Sequence, residues 1–187
     1  MKLGAFFFEI LPLLAFFAGY QYFGLIAAAG LSVGCGALVL GVAWLRERRM
    51  ATFPLFSLLM SAAFTLAAWW GGDGFFIKIQ PTIFNGLFAA VLLGGWLAGR
   101  AMMRVFFERQ FSLTDDTWRR LSFRWGCFFL LLAGANEGVW RGFSEADWVF
   151  YHTFMAAPAS FLFMMAQLPL TLRGRLSHAG NDPVSKE

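Results

Sequence analysis

The sequence predicts an all-α fold, a polytopic transmembrane helical bundle with five spans plus an N-terminal hydrophobic segment that is either a short sixth span or a re-entrant or interfacial helix. Three observations carry this. The 187 residues are 59% hydrophobic and 19% aromatic, and only 14% are charged, against about 25% in soluble domains. Apolar runs of membrane-spanning length recur along the chain, where about 20 residues suffice to cross. The charges fall between those runs, and tryptophans stand at their ends, where a bilayer interface favours them.

The first segment, about residues 4–21, follows Lys2 and contains Glu9 and Pro12. It resembles a secretion signal, but Glu9 and Pro12 interrupt its apolar region and no A-x-A cleavage site follows, so it reads as retained. Pro12 predicts a break or kink. Residues 25–45 are apolar throughout and end at Trp44 and the run Arg46-Glu47-Arg48-Arg49, a cytoplasmic stop. Residues 53–70 cross back to Trp69 and Trp70, and a turn, Gly71-Gly72-Asp73-Gly74, follows. Residues 79–98 return with Pro81 expected in the first helical turn, where a missing N–H costs little.

The longest polar connection runs from Arg100 to Arg120. Its first half mixes Arg104, Glu108 and Arg109 with Met102, Met103, Phe106 and Phe107, as expected of a helix end or a helix lying in the interface. Its second half reads as a helix start, with Thr114 as N-cap and Asp115 and Asp116 in the first turn, where the dipole favours negative charge. That helix continues into the span 123–140, pinned by Arg119, Arg120 and Arg124 at one interface and by Asn136, Glu137 and Arg141 at the other. Ser144-x-x-Asp147 is a capping-box-like start for the last span, 148–172, in which Pro158 predicts a kink. Residues 1–172 therefore read as one transmembrane domain and 173–187 as a short polar tail.

The basic residues orient the chain. Lys2, Arg46, Arg48, Arg49, Arg100, Arg104, Arg109, Arg119, Arg120, Arg124, Arg173, Arg175 and Lys186 fall on one side, leaving only Lys78 and Arg141 on the other. The first side is cytoplasmic by the positive-inside rule, and so is the C-terminus. Basicity here reads as topology: there is no soluble domain to present a groove, so no nucleic acid is expected. Cys35 and Cys127 each lie inside an apolar run and imply neither a disulfide framework nor a zinc site.

Five stretches in order along the chain carry a resemblance: Leu11–Phe17 (LPLLAFF), Phe76–Ala89 (FIKIQPTIFNGLFA), Phe111–Phe129 (FSLTDDTWRRLSFRWGCFF), Ala135–Arg141 (ANEGVWR) and Asp147–Phe154 (DWVFYHTF). Together they resemble the bacterial inner membrane-spanning YciB family, also called intracellular septation protein A. The resemblance implies a polytopic inner-membrane protein needed for envelope synthesis and membrane integrity, associated with septation and with the elongation and division machinery, and without an established enzymatic activity. The chain departs from the family's pattern at His152, where a lysine is expected, and at Asn85, where an aromatic residue is expected.

On their own chemistry, Glu137 and Arg141 are spaced for an i, i+4 ion pair. With Asn136 they form either a helix-end pair or, completed by Lys78, His152 or Asn85, a polar pocket below the outer surface that holds a lipid headgroup or relays protons. Glu9 carries the same two readings. Gly30/Gly34, Gly95/Gly99 and Gly134/Gly138 are Gly-x-x-x-Gly pairs, read as helix-packing faces within one monomer, with homo-oligomerisation second. The arginine-rich loop with Phe106, Phe107 and Phe111 suits anionic lipid or a cytoplasmic partner. No P-loop, nucleophile elbow, zinc motif or paired carboxylates occur, so no catalytic residue, metal or cofactor is expected. Two functions follow: a non-catalytic scaffold contacting other membrane proteins of envelope growth and division, or a small transporter or lipid-handling protein using the pocket around Asn136.

Overall fold

The computed structural model describes residues 3–47, 52–108 and 111–176, and their side chains except at 3–10, 47, 52 and 53. The expected Lys2, Arg48, Arg49, Arg109 and Lys186, and the tail beyond 176, lie outside the described residues.

The described chain is all-α, as long apolar stretches must be where the bilayer offers backbone groups no other partner. The helices are α1 (Leu3–Phe23), α2 (Leu25–Glu47), α3 (Thr52–Gly71), α4 (Phe75–Leu97), α5 (Met102–Phe107), α6 (Asp115–Gly142), α7 (Glu145–Phe150) and α8 (Ala157–Arg173), with a π-helical turn, Tyr151–Ala156, joining the last two. Four stretches are long and apolar enough to cross a membrane: Leu25–Arg46, Pro54–Gly71, Phe75–Leu97 and the run Glu145–Arg173. α6 is not among these four; Arg124, Asn136 and Glu137 dilute it, although its 28 residues reach about 42 Å at 1.5 Å per residue. Large apolar side chains stand exposed on the long helices, among them Leu38, Leu59, Leu87, Leu131 and Leu162. An aqueous protein does not tolerate such surfaces, whereas lipid-facing helices require them.

Two sequence expectations are corrected. α1 runs unbroken through Pro12. α4 begins four residues earlier than expected because the Asp73 carboxylate accepts the Phe75 N–H at 3.0 Å, so Pro81 is interior to the helix and not in its first turn. Pro158 follows a change of helix form. The helix widens before it into the π turn, which accommodates a ring that a tight α-helical turn would set against the carbonyl four residues back.

The described chain divides into two compact units, Met1–Phe84 with Leu132–Ala157, and Asn85–Leu131 with Pro158–Glu187. In the first, Phe16, Leu25, Ala28, Ala29, Ala68, Ile77, Trp148 and Val149 form the core. α1 and α2 make a helical hairpin reversed at Gly24, whose φ of +79° favours glycine. A Cβ on Gly19 would lie 3.0 Å from the Ala28 Cα, so the two helices touch backbone to backbone there. The Ser32 hydroxyl adds a hydrogen bond of 2.9 Å to the Pro12 carbonyl.

In the second unit, Leu113, Trp118 and Leu121 pack with Met103, Trp125 and Leu170, and Phe128 stacks on Phe163 at 4.1 Å. The segment before α6 pairs with the segment after α8 through an antiparallel bridge, Leu113 with Arg175. The Thr114 N–H donates to the Gly174 carbonyl and the Leu176 N–H to the Ser112 carbonyl, each at 3.0 Å. A Cβ on Gly174 would run into the Thr117 side chain.

Candidate functional site

The polar residues singled out by sequence meet in the first unit, around Asn136. The α6 sequence there offers only one neutral polar side chain among leucine, alanine and glycine, and it is 1% exposed. Its amide is used on both sides. Nδ2 donates to the Lys78 carbonyl at 2.8 Å and to the Thr82 hydroxyl at 2.9 Å, both on α4. Oδ1 accepts the Trp148 indole N–H at 2.9 Å, from α7. Thus one amide ties three helices together. Trp148 is delivered to it by the capping box at the start of α7, where the Ser144 hydroxyl accepts the Asp147 N–H and the Asp147 carboxylate accepts the Ser144 N–H.

Around this amide the charges pair. The Arg141 Nε donates to the Glu137 carboxylate at 2.6 Å, and the same guanidinium sits 4.4 Å over the Trp140 ring. The Lys78 Nζ lies 2.9 Å from the Glu145 carboxylate. Glu145 stands 67 residues along from its partner, so only the fold reveals this pair; its position in the first turn of α7 was the sole hint. The structure therefore brings Asn136, Lys78, Glu137, Arg141 and His152 into one unit, but divides them. Lys78 reaches Asn136 through its backbone carbonyl, and its ammonium goes to Glu145. His152 stacks on Trp148 at 5.3 Å and 10°, with the edge of Phe16 closing on both rings. Asn85 belongs to the second unit. The Glu9 side chain lies outside the described residues.

Beside the Asn136 junction lies a cavity of about 280 Å³. Pro12, Phe16, Ser32, Ser61, Thr65, Gln80 and His152 are among its walls. Within its lining, Gln80 Nε2 meets Ser61 Oγ at 2.8 Å. Sequence reading missed Ser61, Thr65 and Gln80: each is a single uncharged residue in an apolar run, and nothing in the spacing marks them as neighbours. Among the described residues no cluster of His, Cys, Asp and Glu suits a metal ion.

The glycine pairs behave differently from one another. A Cβ on Gly30, Gly34, Gly134 or Gly138 would meet no atom within 4 Å, so these positions are not contact points in the described chain. Gly95 faces the Met102 side chain, and Gly99 ends its helix with a φ of +75°. At the arginine-rich end of α6, Arg120 pairs with Asp116 at 2.8 Å, Arg124 donates to Gln167 at 3.3 Å, and Arg119 is exposed. Arg104 bridges to Asp115 at 2.8 Å, tying α5 to the start of α6.

Comparison with known proteins identifies the family. The family model for intracellular septation protein A matches residues 4–177. The inner membrane-spanning protein YciB of Agrobacterium fabrum is 37% identical over 171 residues, covering 91% of this chain and 82% of the relative. That of Sinorhizobium fredii is 41% identical over 146 residues, covering 78% and 70%. That of Mesorhizobium japonicum is 39% identical over 176 residues, covering 94% and 75%. No solved structure matches the chain. With its matched length, its membrane-capable helices and these relatives, the chain belongs to the intracellular septation protein A family of inner-membrane proteins.

Proposed function

We propose that this inner-membrane protein supports envelope biogenesis and septation as a non-catalytic scaffold, contacting lipid and other membrane proteins of growth and division. The link to septation comes from the family's name. The scaffold reading is supported by one observation above others: the Asn136 amide is spent on a carbonyl, a hydroxyl and an indole, and Glu137 is spent on Arg141. Such closure stiffens a helix junction and leaves little free chemistry for a reaction.

If Glu137 only balances Arg141, Glu137→Gln should complement an envelope-stress or cell-length defect in a strain lacking the protein, and so should Glu137→Gln with Arg141→Gln. A pair of this spacing contributes about 0.3–0.5 kcal/mol, and the arginine can snorkel outwards. Loss of complementation by Glu137→Gln at normal membrane abundance would overturn the scaffold reading.

The proposed topology has six crossings within one membrane domain, α1 and α6 included, with the C-terminus in the cytoplasm. α1 supports this through its 21 residues, about 31 Å of helix at 1.5 Å per residue. Reporter fusions after Arg49, Arg109 and Arg175 should behave as cytoplasmic and those at Gly72 and Ser144 as external. A cysteine at Gly4 should label from the inside, and labelling only from outside would remove α1 from the count.

A second reading, a small transporter or lipid-handling protein, is favoured by the cavity walled by Ser61, Thr65, Gln80 and His152. It moves the pocket away from Glu137 and Arg141, which do not line this cavity.

A further inference from the structure

We infer that the cavity of about 280 Å³ between α1, α2, α3, α4 and the π turn is a binding site for a neutral, membrane-soluble molecule that presents carbonyl oxygens. This goes beyond the scaffold reading and gives the second reading a ligand class.

The charge of the walls sets the first constraint. No Asp, Glu, Lys or Arg lines the cavity among the described residues, so an ionic head would enter without a counter-charge to offset its desolvation. The hydrogen-bonding inventory sets the second. The Ser32 hydroxyl proton is already spent on the Pro12 carbonyl. In the Ser61–Gln80 pair, one hydrogen bond is made, and two donor hydrogens are left over in either orientation of the amide: the serine O–H and the second amide N–H, or both amide hydrogens. The Thr65 hydroxyl makes no hydrogen bond among the described residues, whereas Thr171 and Ser122 turn theirs back onto their own helices. The α3–α4 wall is therefore rich in unused donors, and a carbonyl answers donors.

Shape sets the third. Phe16, Trp148 and His152 also line the cavity, an aromatic lining that suits an apolar head. The volume of about 280 Å³ falls just below the about 300–1,000 Å³ of ligand cavities, so it admits a head and not a whole lipid. The π turn that carries His152 to this wall, Tyr151–Ala156, is a form that recurs at functional sites.

The same carbonyl chemistry comes from a quinone ring or from the ester head of a diacylglycerol, and the test separates them. The purified full chain in detergent is titrated with a quinone bearing one isoprenyl unit and, separately, with dioctanoylglycerol, and bound probe is counted by native mass spectrometry. Saturable binding of one molecule per chain is expected, weakened about tenfold by the near-isosteric Thr65→Val combined with Ser61→Ala. Binding of one probe alone names the source, and binding of both supports the shared chemistry. The melting temperature without probe shows whether the variant is folded; if it is not, Gln80→Leu is read in the same titration. Failure of both probes to saturate, or undiminished binding in a folded variant, would overturn the proposal.

Discussion

Asn136→Leu is expected to give the largest loss of stability among polar substitutions in the first unit, about 1–3 kcal/mol from one stranded donor. The three hydrogen bonds of this amide do not weigh equally. The Thr82 hydroxyl sits four residues after Lys78 and can swing back onto that same carbonyl, so α4 can rescue itself when Asn136 goes. Trp148 cannot: its ring is 1% exposed and locked between Phe16 and His152, so its N–H would remain buried without an acceptor. Thermal unfolding of the purified protein should show the drop. A double-mutant cycle with Trp148→Phe, which removes the orphan, should show a coupling of about 0.5–3 kcal/mol, as for residues in direct contact. Additive effects would mean that the Asn136–Trp148 bond carries no weight.

Gly19→Leu should be worse still for yield. The new Cβ would meet the Ala28 backbone at 3.0 Å and the Leu31 side chain at 2.8 Å, and only the second can move cheaply. Overpacking of this kind costs about 1–3 kcal/mol, more where a helix must shift, and here it pries α1 from α2. Gly34→Leu is the matched control, because a Cβ there meets nothing within 4 Å. Membrane abundance and melting temperature should fall for Gly19→Leu and hold for Gly34→Leu. The reverse order would show that Gly34 packs on a second copy of the chain and that the Gly19 contact is loose.

That contrast shows where sequence reading stops. Gly-x-x-x-Gly states that a helix has a face on which another helix can approach, but it does not say that one does. Gly30 and Gly34 carry the pattern without a contact in the described chain, while Gly19 comes up against the Ala28 backbone without a glycine four residues away. Local signals fared well because the partners are near in sequence: Ser144 and Asp147 close their capping box, Asp115 and Asp116 open α6, and Glu137 finds Arg141. Pairings across long separations were silent. Lys78 gives no sign of Glu145, nor Gln80 of Ser61, because one charge or one amide in an apolar run is compatible with many neighbours. The π turn was equally hidden: Pro158 announces a disturbance in the helix, and the packing around it decides which form the disturbance takes.

The bridge between Leu113 and Arg175 has a consequence for the order in which the molecule can be completed. Residues 112–114 leave the ribosome well before 174–176, and between them lie all of α6, α7, the π turn and α8. Until that stretch has been made and inserted, the Thr114 N–H and the Ser112 carbonyl have no backbone partner from after α8, and the start of α6 has no Gly174 to seat against Thr117. The second unit is thus closed by a clasp that only a late-made segment can fasten, and a nascent chain stalled within α8 would present an unfastened loop rich in arginine and phenylalanine to whatever quality control patrols the membrane.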